Sequence, residues 1–191
     1  MFARLVVSLL VAALSCALAR ADGEEDFRRG LAAYNTGDYA GAEESYRRAL
    51  ELDPTDPAPA LNLALLRNAR GDFAGAEAAC RTGLQAAPGI AEIHIALAIA
   101  LHGQRRLTDA EKELRQALAL EPNRAGTHSD LGTLLAEMGR FEEAVDRHRR
   151  ALNLEPDRPA FHGALGATLA QGGNLAGAEE AFAHKIGRAH V

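Results

Sequence analysis

Apolar side chains recur every three or four residues along most of the chain, which is the spacing of one face of an α-helix. The clearest run is Leu107, Ala110, Leu114, Ala117 and Leu118, which lie at intervals i, i+3, i+7, i+10 and i+11. A helix with one apolar face needs a neighbour that covers that face. The pattern therefore predicts a series of packed helices.

The helical pattern is repeated with a fixed period. Pro54, Pro88, Pro122 and Pro156 are each 34 residues apart, and each ends a similar six-residue stretch that starts with a small residue and a leucine. We place each proline at position 32 of a repeat. The repeats are then residues 23–56, 57–90, 91–124, 125–158 and a partial fifth, 159–185.

Small residues occupy the same positions in every repeat. Position 8 is Gly30, Ala64, Ala98, Gly132 and Gly166, and position 20 is Ala42, Ala76, Ala110, Ala144 and Ala178. Two helices approach to about 8–10 Å where their facing side chains are small. Position 15, the predicted turn between two helices, is glycine in four repeats, whereas the third repeat departs from this pattern with Arg105, although Gly103 lies nearby.

A period of 34, with small residues at positions 8 and 20 and proline at position 32, resembles the tetratricopeptide-repeat (TPR) family. The resemblance implies an all-α fold, an α-solenoid of antiparallel helix pairs with about 4.5–5 repeats. The tryptophan that the family usually carries at position 4 is absent. Since one repeat has too little core to fold alone, we expect a single solenoid over residues 22–185.

Members of the family bind partner peptides on a concave surface lined by the first helix of each repeat. The corresponding positions 5, 9 and 12 predict a groove of Phe27, Leu31, Tyr34, Leu61, Leu65, Asn68, Ile95, Ile99, His102, Ser129 and Thr133. The amino-terminal part of this set is apolar, which suits the apolar anchors of a peptide or partner protein. The alternative is that its leucines and isoleucines pack against neighbouring helices. The lysine and asparagine of the chaperone-binding branch are missing.

Candidate chemistry is sparse. His94, His128 and His162 all stand at position 4, but equivalent positions in adjacent hairpins are about 10 Å apart, too far for one metal ion, and packing explains them better. Cys80 stands at a core position and is expected to be a buried filler. Neither a phosphate loop nor a nucleophile motif occurs. We expect no enzyme activity, no cofactor, no metal and no small-molecule substrate.

The amino terminus has the composition of a secretory signal. Arg4 precedes an uncharged apolar run from Leu5 to Ala19, which is short for a bilayer span of about 20 residues. We predict cleavage after Ala21, so residues 1–21 are assigned as a signal peptide and the product as periplasmic or secreted. An uncleaved anchor, or lipidation of Cys16, would instead tie the protein to a membrane.

The charge of the chain argues against nucleic-acid partners. The full chain carries 21 basic and 26 acidic residues, for a formal net charge of −5. Loss of residues 1–21 would remove Arg4 and Arg20 and no acid. An acidic surface repels phosphate backbones. The sequence therefore favours a scaffold that binds a protein or peptide in the periplasm or cell envelope.

The carboxyl terminus departs from the repeat pattern. Residues 186–191 read Ile-Gly-Arg-Ala-His-Val, which ATC GGA AGA GCA CAC GTC encodes, and this resembles a short-read sequencing adapter. We therefore predict that 186–191 are an artefact and that the authentic chain continues, leaving the apolar face of the fifth repeat uncapped. On that view the repeats could also be the recognition arm of a longer, truncated enzyme, such as a transferase or maturation factor.

Overall fold

The computed structural model describes the backbone of residues 2–187 and the side chains of residues 18–183. Within this range the secondary structure consists of ten α-helices and no strand, which confirms the predicted all-α class. The helices are α1 (Phe2–Asn35), α2 (Tyr39–Leu52), α3 (Pro57–Ala69), α4 (Phe73–Ala86), α5 (Ala91–Gly103), α6 (Leu107–Leu120), α7 (Ala125–Glu137), α8 (Phe141–Leu154), α9 (Pro159–Gln171) and α10 (Leu175–Gly187).

The helices end and begin where local chemistry favours it. Pro57 and Pro159 occupy the first turns of α3 and α9, where a missing N–H costs nothing. Asp38 and Asp72 cap α2 and α4 by accepting a hydrogen bond from the N–H of Gly41 and Gly75, at 2.9 and 3.0 Å. These signals divide the chain into helix pairs.

The turn inside each pair is built on one residue with positive φ. Gly37, Gly71, Gly139 and Gly173 have φ between 76° and 85°, as the glycine pattern predicts. Arg105 adopts φ 63° at the corresponding position of the third repeat. The third repeat therefore forms the same left-handed turn without glycine, in a conformation that the arginine side chain disfavours.

The chain forms two compact units with a boundary between Gly89 and Ile90. In the first unit α1 packs on α2, α2 on α3, and α3 on α4. Its core includes Ala42, Tyr46, Leu63, Ala76 and Cys80, each at most 3% exposed. Cys80 is thus a buried filler, as predicted.

The second unit contains α5 to α10. The helices pack as the pairs α5 with α6, α7 with α8 and α9 with α10, and α6 contacts α7 while α8 contacts α9. Its core is built on large side chains such as Ile93, Leu97, Leu101, Leu131 and Leu135. Continuity of all repeats in one solenoid stays a prediction of the sequence.

Each helix pair closes where position 8 meets position 24. A Cβ built on Gly30 would lie 2.6 Å from the ring of Tyr46, one on Gly132 would lie 2.7 Å from the ring of His148, and one on Gly166 would lie 2.6 Å from the ring of Phe182. The other two repeats carry alanine at position 8 and the smaller Cys80 and Leu114 at position 24. A ring therefore requires glycine opposite it.

Most side chains of the two predicted terminal segments lie outside the described residues. Helix α1 runs without a break from Phe2 to Asn35, so the backbone of the predicted signal segment and of the first repeat helix is one helix. Among the described residues, none of the helices combines the length and the apolar character that a bilayer span requires. Residues 188–191 of the predicted adapter-derived tail are outside the description.

Candidate peptide-binding groove

Position 9 exposes an aliphatic side chain in each of the first three repeats. Leu31 is 37% exposed, Leu65 is 46% exposed and Ile99 is 45% exposed, whereas most other large apolar side chains of these helices are buried or half-buried. Water contact with an isobutyl or sec-butyl group costs free energy that a bound partner would recover. These three predicted groove residues are therefore accessible to a partner.

The remaining predicted groove residues of the first unit are placed differently. Tyr34 is 47% exposed and stacks edge-on with Tyr39, with 5.5 Å between the ring centroids. Phe27 is half-buried, with its ring 5.7 Å from that of Tyr46 inside the first helix pair. Leu61 and Asn68 are half-buried on α3. Phe27 is consequently engaged in the core of its own repeat.

In the second unit a cavity of about 190 Å³ opens between α5, α6 and α7, and we call it the α5–α7 cavity. Its apolar lining includes Ile99, Leu114 and Leu134. The volume is far above the roughly 10–15 Å³ that admits one water molecule. The cavity is therefore large enough to accept part of a partner's side chain.

The α5–α7 cavity brings together only part of the predicted set. Ile99, His102 and Thr133 line it, whereas Ile95 is half-buried on α5 and Ser129 is only 9% exposed. Ser129 does not line the cavity because α7 presents positions 6, 9, 10 and 13 to it rather than position 5.

Two acidic residues of this surface lie outside the groove positions that the family resemblance predicts. Asp130 and Glu137 also line the cavity, at positions 6 and 13 of the fourth repeat. Their spacing to Thr133, at three and four residues, puts all three on one face of a helix. That spacing was a signal in the sequence that could have revealed them.

The two carboxylates differ in their surroundings. Glu137 accepts a hydrogen bond from Nε2 of His102 at 2.8 Å, and Nη1 of Arg105 lies 3.8 Å from the same carboxylate. Asp130 is exposed to the cavity, and burial of its carboxyl by the surrounding protein raises the pKa of Asp130, with Arg124 acting in the opposite direction. The lining of the cavity thus combines apolar side chains with two carboxylates.

The position-4 histidines have separate structural partners. Nδ1 of His94 lies 2.7 Å from the Glu113 carboxylate, while Nε2 of His128 and of His162 donate to the carbonyls of Pro122 and Pro156 at 2.9 and 2.8 Å. The last two bonds attach the start of a helix to the preceding proline loop. Across residues 18–183, no three His, Cys, Asp or Glu side chains converge in a way that could hold a metal ion.

Sequence profiles described as tetratricopeptide repeat match residues 27–56, residues 67–129 and 101–147, and residues 129–186. Together they span nearly every helix pair seen in the structure. The chain belongs to the tetratricopeptide-repeat family. A comparison with curated protein sequences gave no significant match.

Solved structures of other TPR proteins share this fold. MamA from Desulfovibrio magneticus RS-1 is 17% identical, with a TM-score of 0.81 over 88% of this chain and 95% of that one. A thermophilic TPR protein of Thermus thermophilus is 25% identical, with a TM-score of 0.68 over 87% and 91% of the two chains. YrrB, described as a TPR protein with an unusual peptide-binding site, is 19% identical, with a TM-score of 0.71 over 85% and 84%.

Family membership and geometry agree on a general role. TPR proteins are interaction scaffolds that bind proteins or peptides and are generally not catalytic. This TPR protein presents exposed aliphatic side chains and an open cavity on the first helices of its repeats. Both observations support a scaffold for protein interaction.

Proposed function

We propose that this TPR protein is a non-catalytic scaffold in the periplasm or cell envelope. It binds a peptide or a partner protein through the first helices of its repeats, where the position-9 side chains Leu31, Leu65 and Ile99 are exposed. The observation that carries the proposal is the α5–α7 cavity, whose lining includes the exposed Ile99. Pockets with an apolar floor and a few polar groups are the usual sites of recognition. A nucleic acid or a small-molecule substrate is not expected.

The first unit supports the same role. Leu31 and Leu65 expose aliphatic groups on α1 and α3, and Tyr34 and Tyr39 form an exposed aromatic pair between α1 and α2. Aromatic and aliphatic groups of this kind supply most of the binding free energy in protein interfaces. A partner peptide that uses several such anchors would gain affinity from each of them.

Photo-crosslinking in the native host tests the proposed surface. A photoreactive amino acid replaces Thr133 in the α5–α7 cavity, and in a matched variant it replaces the exposed Thr108 on the second helix of the third repeat. We expect one defined partner to be crosslinked from position 133 and not from position 108. The added change Ile99→Ser should reduce that product several-fold, because the apolar contact is lost.

Equal crosslinking from both positions, or none from position 133, would rule out this surface. Fusion of the first 40 residues to a reporter that folds only after export tests the location separately. A reporter that stays inactive, while a fusion with a known signal peptide is active, would exclude the periplasm and leave the binding proposal intact.

A further inference from the structure

Asp130 stands out among the residues of the α5–α7 cavity. Within residues 18–183 its carboxylate makes no hydrogen bond and has no cation within ion-pair distance. Most carboxylates of the first and third repeats are paired, for instance Glu44 with Arg47 and Arg48, and Glu111 with Arg115 and Arg140. An acid that lines a cavity without a partner is available to a ligand.

Basic residues of this part of the second unit are already engaged elsewhere. Arg124 pairs with Glu92 and, at 2.9 Å, with Glu121, so its guanidinium is shared between two other carboxylates. His102 donates to Glu137, and Arg105 is 77% exposed and directed at the same acid. Among the described residues no cation is in direct contact with the Asp130 carboxylate, and Arg124 acts on it only at longer range.

The surroundings of Asp130 disfavour the ionised form of its carboxyl group. Surrounding protein atoms withdraw water from the carboxylate, and this desolvation raises the pKa of Asp130. A cation that arrived with a partner would pair with the carboxylate in a partly dehydrated site, where ion pairing is stronger than in water. An anionic group would meet Asp130 and Glu137 together and be repelled.

We propose that the α5–α7 cavity binds an arginine or lysine side chain of the partner peptide, with its methylene stem on Ile99 and Leu134 and its charged head on Asp130. This inference rests on the proposed function and specifies the chemistry of the partner. Long basic side chains combine an apolar stem with a cationic end, which matches a lining that contains both apolar side chains and carboxylates. The negative net charge of the chain adds a long-range attraction for such a peptide.

A library of random 12-residue peptides tests the inference with the full chain. The library is selected in parallel on the parent protein, on Asp130→Asn, and on Glu180→Gln, which removes one exposed carboxylate of α10 outside the cavity. We expect parent-selected peptides to share a lysine or arginine. Each should bind Asp130→Asn about tenfold more weakly, the loss of one charge-assisted contact, and Glu180→Gln as tightly as the parent.

The outcomes separate the two proposals. Peptides that require Ile99, as shown by Ile99→Ser, but carry no basic residue or bind Asp130→Asn unchanged would overturn the basic-side-chain inference and leave the groove intact. Failure of any peptide to require Ile99 would overturn both. Since Asp130→Asn removes a destabilised charge, its thermal midpoint should be equal to or above that of the parent, which excludes misfolding as the cause of lost binding.

Discussion

At the residue scale the protein is organised by size matching between the two helices of a repeat. Glycine at position 8 faces a ring at position 24 in the first, fourth and fifth repeats. The second and third repeats instead carry alanine at position 8 with cysteine or leucine at position 24. Interiors are packed as densely as organic crystals, so one methyl group changes what fits. The identities at these two positions are therefore coupled.

Gly132→Ala is expected to destabilise the protein. The new Cβ would lie 2.7 Å from Cε1 of His148, and such overpacking costs about 1–3 kcal/mol, which outweighs the roughly 1 kcal/mol that alanine gains in a helix. The second change His148→Leu recreates the alanine and leucine pair of Ala98 and Leu114. Urea titration compares the parent, Gly132→Ala, His148→Leu and the double variant, and the double variant should recover most of the free energy of unfolding that Gly132→Ala loses. If the losses of the two single variants simply add in the double variant, the two positions are not coupled.

His148 should also make stability depend on pH. The ring is fully buried, no partner for its nitrogens occurs among the described residues, and burial lowers the pKa of His148 from 6.5 to about 4. As the pH falls, His148 is protonated in the unfolded chain before it is protonated in the folded one. Its contribution to the free energy of unfolding is therefore complete above pH 6.5. As the pH falls from 6.5 to 4, stability drops by up to about 3 kcal/mol.

The variant His148→Phe removes this proton while repeating the glycine and phenylalanine pair of Gly166 and Phe182. Its free energy of unfolding, measured by urea titration from pH 7.5 to 4.5, should fall less steeply than that of the parent. His128 is present in both proteins, and burial lowers its pKa as well, so its contribution cancels. Parallel pH profiles would show that His148 is not the buried titrating group.

At the element scale, the second helix of a repeat begins in one of two ways. Asp38, Asp72 and Asn174 cap the second helices of the first, second and fifth repeats, each accepting from a glycine N–H three residues on. The third and fourth repeats carry Arg106 and Arg140 there, and these pair with an acid three residues on, at 2.7 Å in both cases. At the start of the second helix, an ion pair thus takes the place of the side-chain cap in the third and fourth repeats.

The variant Asp72→Ala should lower the free energy of unfolding by about 1 kcal/mol, because the N–H of Gly75 loses its acceptor at the start of α4. Asp72→Asn keeps an acceptor oxygen and should differ little from the parent. Chemical denaturation of the three proteins checks this. A similar loss in both variants would mean that charge, and not the cap, is what α4 requires.

The turn between α5 and α6 offers a stabilising change. Arg105 has φ 63°, and a side chain in this region costs about 1–2 kcal/mol relative to glycine, part of which the greater freedom of glycine in the unfolded chain offsets. The exposed contact of Arg105 with Glu137, at 3.8 Å, adds little. Arg105→Gly is expected to stabilise by about 0.5–1 kcal/mol, measured as a higher urea midpoint.

The natural glycine turns supply the reverse test. Gly139 has φ 76° with open space around it, so Gly139→Ala should destabilise by about 1 kcal/mol through backbone strain alone. If both Arg105→Gly and Gly139→Ala leave the midpoint unchanged, the left-handed turn contributes no strain.

At the scale of the whole molecule, charge serves both stability and selection of partners. Glu43 links α2 to Arg67 and Arg70 in the first unit, at 2.9 and 2.8 Å, and Glu111 links α6 to Arg140 in the second, at 2.7 Å. Arginines that hold successive helix pairs together in this way are not available as a basic patch. Arg67, Arg70 and Arg140 are therefore engaged in these ion pairs, in a chain whose formal net charge is −5.

The full chain should not bind nucleic acid. Non-specific binding to a duplex rests on lysine and arginine contacts to phosphates and typically gives Kd values of about 10⁻⁴–10⁻⁶ M at physiological salt. Anisotropy of a labelled duplex should stay flat as the protein is added under these conditions. A rise that disappears steeply with added salt would reveal a basic surface that the sequence does not indicate.

Much of the fold follows from the sequence because the same signals recur in every repeat. The proline period and the small residues at positions 8 and 20 predict the helix pairs, and the family resemblance is confirmed by the sequence profiles. The groove is predicted less completely. Ile99, His102 and Thr133 line the α5–α7 cavity, but family positions carry no information on Asp130, since the residue at position 6 changes from repeat to repeat.

The sequence by itself determined the helices, their pairing and the overall charge. Helices and turns depend on residues that are close together in the chain, and the net charge is the sum over its residues. Only the tertiary structure decided which residues face the cavity, that Arg105 takes a left-handed turn, and that His148 and Asp130 are left without partners among the described residues. Those outcomes depend on how neighbouring helices pack, since packing withdraws water from one side chain and supplies a partner to another.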